Sequence, residues 1–88
     1  MVAVIEEREE AAGARYIEFK VERSPTDPLR VLGRWRLVHG QSTLVDENRD
    51  GAAVATEFRL VLDCADQHGV RFVWVNDPDG LFPPWERR

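Results

Sequence analysis

Two alternating segments flank a proline-rich turn, and this pattern restricts the fold more than any other feature of the chain. From Arg15 to Arg23, Ile17, Phe19 and Val21 alternate with Tyr16, Glu18, Lys20 and Glu22, the period-two pattern of a half-buried strand. Ser24-Pro25-Thr26-Asp27-Pro28 breaks the run and favours a tight reversal. Beyond it, Leu29, Val31, Trp35 and Leu37 alternate with Arg30, Arg34 and Arg36, with Leu32 as the exception. A hairpin is expected. If paired residue numbers sum to 52, Val21 meets Val31, Phe19 meets Gly33 and Ile17 meets Trp35 on the apolar face. Glu22 then meets Arg30, and Glu18 meets Arg34, as opposite charges on the other face. A slip of one residue would send every side chain to the wrong face.

The 88 residues suffice for a single domain, 1–88, with one modest core. Ala52–His68 carries Val54, Ala55, Phe58, Val61, Leu62 and Ala65 at the spacing of an amphipathic helix. Val54, Thr56, Phe58, Leu60, Leu62 and Cys64 also alternate, but seventeen residues is long for a strand. Asp50 is placed to cap the helix start, Gly69 to end it, and Arg59 with Asp63 to pair on its exposed side. Val70–Val75 is apolar on nearly both faces, which predicts an inner strand covered by the helix. Asp77-Pro78-Asp79-Gly80 is a turn, followed by an irregular aromatic tail over 81–88. Val2–Glu10, within an acidic segment spanning 1–13, fits either an edge strand turning at Gly13 or a short acidic helix. The expected fold is α+β: an antiparallel sheet of three to four strands with one helix packed on one face.

Charge is unevenly distributed along the chain. The overall formal charge is −4, yet residues 14–40 are basic and 41–80 strongly acidic. Eleven of the twelve cations are arginine, whose planar fork pairs readily with carboxylates, so the basic stretch does not by itself predict nucleic-acid binding. A single-strand surface built on Trp35 and its neighbouring arginines ranks below internal pairing. The longest apolar runs, such as Phe72 to Val75, have four residues, far below the roughly 20 of a membrane span. Glu6, Glu7, Glu9 and Glu10 follow Val2–Ile5, unlike a secretory leader. With Cys64 as the sole cysteine, a cytoplasmic location is expected.

Two patterns carry possible chemistry. Asp46-Glu47-Asn48-Arg49-Asp50-Gly51, with Glu57 six residues after the glycine, resembles the loop of an EF-hand. The resemblance implies calcium ligation by the side chains of Asp46, Asn48, Asp50 and Glu57 and by the carbonyl of Ala52. Ala53 and Val54 depart from the usual loop, and Leu37–Val45 lacks a helical apolar stripe, so an acidic turn ranks first and calcium binding second. Cys64 and His68 lie one helical turn apart, but only His39 remains as another soft donor, short of a zinc site, and no third group orients a nucleophile. Phosphate-cradling glycine loops are lacking, and Ser24 and Ser42 have no nucleophile context.

No catalytic set and no cofactor are expected. The expectation is a small acidic binding or regulatory protein acting through a protein partner. One form is an inhibitor that presents an acidic surface to a nucleic-acid-binding protein, as phage-encoded inhibitors do, without touching nucleic acid itself. The contact residues expected are Leu81, Phe82 and Trp85 in the tail, with Asp46, Glu47, Asp50, Asp63 and Asp66 as the acidic surface. An edge strand also leaves room for a homodimer.

Overall fold

The computed structural model describes residues 2–39 and 54–83, together with the strand backbone of 42–47. The chain runs β1 (Ala3–Ile5), a 3-10 helix (Arg8–Ala11), β2 (Tyr16–Arg23), β3 (Val31–His39), β4 (Ser42–Glu47), α1 (Val54–Gln67) and β5 (Phe72–Asn76). The α+β arrangement with a helix on one sheet face is as expected. The sheet itself is mixed and five-stranded, in the order β1-β5-β2-β3-β4. β2, β3 and β4 are antiparallel neighbours, while β5 lies parallel to both β2 and β1. The departure from an all-antiparallel sheet follows from connection length. Tight turns join antiparallel strands, whereas the α1 crossover allows β5 to return in parallel. β5 is the inner strand its two-sided apolar pattern predicts.

The hairpin register is displaced by two residues. Paired numbers sum to 54, so Val21 faces Gly33, Phe19 faces Trp35 and Ile17 faces Leu37. The cause is the turn, whose apex is Asp27. Ser24 Oγ accepts from the amides of Thr26 and Asp27, Asp27 Oδ1 accepts from Leu29 N at 3.1 Å, and Ser24 N donates to Arg30 O at 2.8 Å. These side-chain turns close a loop one residue further along than the prolines suggest. A shift of two preserves the faces, which is why the apolar assignment survives.

On one face, Phe58, Val61 and Ala65 of α1 pack with Ile17, Phe19, Val21, Val73 and Val75. Phe82 joins them from the tail with no exposed surface, its ring 5.2 Å from that of Phe58 and 6.2 Å from that of Phe19. The helix ends as its glycine predicts: Gly69 takes φ +68°, Val70 N donates to Ala65 O at 2.8 Å, and Gly69 N donates to Asp66 O. The expected pair between Arg59 and Asp63 does not form. Both side chains are exposed, where such a pair is worth only a few tenths of a kcal/mol and does not hold two rotamers. Asp50, the expected cap, lies outside the described residues.

A smaller cluster of Ile5, Ala11, Tyr16 and Val38, flanked by Phe72 and Trp74, occupies the other face under the 3-10 helix. Trp74 Nε1 donates to Glu6 O at 3.1 Å. The N-terminal segment, expected to be either an edge strand or a short acidic helix, divides into a three-residue edge strand and a four-residue 3-10 helix. At 14 residues α1 is about 21 Å long, and no described helix is long and apolar enough to cross a membrane.

Candidate functional site

Cys64 in the last turn of α1 and His68 just past its end meet a third element that the sequence pattern did not show. They border a groove of about 270 Å³ whose other lining residues are Arg15, Ile17, Trp35, Leu37 and Val70. Cys64 is half-buried, while Arg15 and His68 are exposed. Alternation had already put Ile17, Trp35 and Leu37 on one face, but their meeting with Cys64 depends on where α1 crosses the sheet. Among the described residues, no group of three or more His, Cys, Asp or Glu side chains could hold a metal ion.

The segment resembling a calcium loop is entered from strand β4, not from a helix. Asp46 and Glu47 occupy β4 positions opposite Arg36 and Trp35. Asn48, Asp50 and Ala52 lie outside the described residues. Glu57, in the first turn of α1, is only 2% exposed, and its Oε1 accepts from Trp35 Nε1 at 3.1 Å. The bond anchors the half-buried Trp35 against the helix, and the side chain packs on the core while also lining the groove.

The face of the sheet away from α1 carries an ordered charge ladder. Glu18, 8% exposed, accepts from Arg36 Nε through Oε1 and from Asn76 Nδ2 at 2.9 Å through Oε2. Glu22 pairs with Arg34 at 2.9 Å. The expected partners, Arg34 for Glu18 and Arg30 for Glu22, are both replaced: the two-residue displacement puts Arg36 opposite Glu18 and Leu32 opposite Glu22, which reaches diagonally to Arg34. Glu18→Ala is expected to lower stability by about 1–2 kcal/mol, because it removes the acceptor of Asn76 Nδ2 and of Arg36 Nε from a mostly buried site. Chemical denaturation monitored by circular dichroism measures this directly.

The tail places its aromatic residues differently from expectation. Phe82 is a core side chain with no exposed surface, its ring set against those of Phe19 and Phe58, and not part of an outer aromatic surface. Asp77 holds the tail down: its two carboxylate oxygens accept from Leu81 N at 2.9 Å and Phe82 N at 2.8 Å. Leu81 is half-buried against the same core, and Trp85 lies outside the described residues. Asp63 and Asp66 are exposed on α1.

Among the described residues, the most exposed large apolar side chain is one that the sequence pattern assigns to the sheet. Leu29 is 93% exposed, against 48% for Leu60 and 40% for Val4. It sits at the end of an arm, since Val21–Arg23 and Val31–Gly33 pair only with each other among the described residues. Arg23 Nη1 donates to Pro28 O at 2.9 Å, adding to the Ser24 and Asp27 bonds that shape the tip. No family model, curated protein or solved structure matches the chain. Leu29 was legible only as an alternating apolar position; the later turn apex takes it off the strand.

Proposed function

We propose that this chain is a non-catalytic binding protein that acts on a protein partner, and that the β2–β3 arm makes the central contact through Leu29. The observation that carries the proposal is Leu29 itself: a large apolar side chain 93% exposed on a loop braced by hydrogen bonds that include two to Ser24 Oγ, one to Asp27 Oδ1, the backbone bonds from Ser24 N to Arg30 O and from Arg30 N to Asp27 O and one from Arg23 to Pro28 O. A rigid apolar tip loses little conformational freedom on docking, which favours an anchoring role. Asp63 and Asp66 on α1 offer a second, acidic surface suited to a basic partner such as a nucleic-acid-binding protein. The free, half-buried thiol of Cys64 fits a cytoplasmic location, which belongs to the same proposal.

Affinity capture from cell extract, with mass spectrometric identification, gives the partner, and variants then locate the contact. Leu29→Asp is expected to weaken the complex at least about tenfold while changing stability by less than about 0.5 kcal/mol. Leu60→Asp is expected to leave binding intact. If Asp63→Asn with Asp66→Asn abolishes capture and Leu29→Asp does not, the acidic helix face is the contact and the arm is not. Retention by all variants would overturn the docking model for both surfaces.

A further inference from the structure

We propose that the groove between α1 and strands β2 and β3 binds a small amphipathic carboxylate, its apolar body on the groove floor and its charged end at Arg15. Ile17, Trp35, Leu37 and Val70 supply the apolar lining, with Arg15 and His68 at its borders. Arg15 makes no hydrogen bond or ion pair with other described residues, whereas Arg23, Arg34 and Arg36 are engaged within the fold. An uncommitted guanidinium beside an apolar floor matches a carboxylate attached to a hydrocarbon body, because a bidentate charge-assisted pair forms without displacing an existing partner.

The end of α1 does not reverse that sign. Its carbonyl groups would oppose an anion if left open, but Cys64 O, Ala65 O and Asp66 O already accept from His68 N, Val70 N and Gly69 N. Their negative ends are turned into the cap, and the groove lining contributes the Arg15 guanidinium and no carboxylate among the described residues. The volume, about 270 Å³, lies just below the ~300 Å³ at which ligand pockets commonly begin, so the occupant is a short-chain or single-ring acid and not a nucleotide or peptide. The docking role of Leu29 is independent of this groove.

Cys64 provides the readout, because it is the sole thiol and borders the groove. Its alkylation rate by iodoacetamide is measured on the full chain in rising concentrations of octanoate or its neutral isostere octanamide, at neutral pH. Octanoate is expected to slow alkylation saturably, with octanamide about tenfold weaker. Arg15→Gln, an exposed substitution whose folding is checked by its melting temperature, is expected to weaken octanoate about tenfold and remove the difference between the two probes. Amide chemical shifts of Leu37 and Val70 should move with the same midpoint. Equal protection by both probes in the wild type would overturn the carboxylate assignment. Absence of protection up to about 10 mM, weaker than the millimolar range expected for so small a ligand, would overturn the site altogether.

Discussion

Phe82→Ala is expected to destabilise the protein by about 3–5 kcal/mol and to lower its melting temperature by more than about 12 °C. The ring has no exposed surface and is held by Phe58 at 5.2 Å and Phe19 at 6.2 Å, so truncation removes both buried area and aromatic contacts and leaves a void among rigid neighbours. Against a total stability of about 5–15 kcal/mol for a domain, the loss is large. Calorimetry or thermal circular dichroism separates this role from that of a surface anchor, for which truncation should cost less than about 0.5 kcal/mol. A small effect would mean that the tail does not close the core. Asp77→Ala should reproduce part of the loss without touching the ring, since it removes the acceptors of Leu81 N and Phe82 N.

Gly33→Ala is expected to cost about 1–3 kcal/mol although it adds a single methyl group to a strand. A Cβ at position 33 would stand 2.8 Å from Phe19 Cε1 and closer still to Cζ. The Phe19 ring is fully buried against Phe58, 5.3 Å away, and has no space to yield. A double-mutant cycle with Phe19→Ala is the decisive form of the measurement. The alanine at 33 should be nearly neutral once the ring is gone, which gives a coupling energy of about the single-mutant cost. Additive effects would show that the strand tolerates the methyl group and that the contact with Phe19 is not limiting.

The two side chains also show what was legible in advance. Alternation placed Phe19 and Gly33 on the same face and brought them into contact, and the ring does lie over the glycine; the backbone pairing that achieves it is diagonal, Val21 being opposite Gly33. Face assignment survives a displacement of two because the side-chain period is two, but ion-pair partners do not, so Glu18 pairs with Arg36 and Glu22 with Arg34 in place of Arg34 and Arg30. The end of α1 at Gly69 was readable because a left-handed residue there is a local requirement. The parallel placement of β5 was not, since it depends on where a crossover helix returns the chain, a non-local outcome that no short pattern encodes. Phe82 was misassigned for a related reason: three prolines and a glycine around it read as surface tail, while its burial depends on space left between Phe19 and Phe58. The groove shares that limit, its residues coming from β2, β3, α1 and the approach to β5.

The position of β5 has a consequence for how the chain is made. Among the described strands, β1 touches the sheet only through β5, and β5 is inserted beside β2, so a strand synthesised before the hairpin waits for one synthesised after α1 before it gains a neighbour. During translation the β2–β3–β4 meander can assemble by itself, but the apolar surface reserved for β5 stays open until Phe72–Asn76 leaves the ribosome. Vectorial synthesis therefore protects the hairpin early and the sheet centre last, and pairings this distant in sequence place the chain among slower-folding topologies for its size.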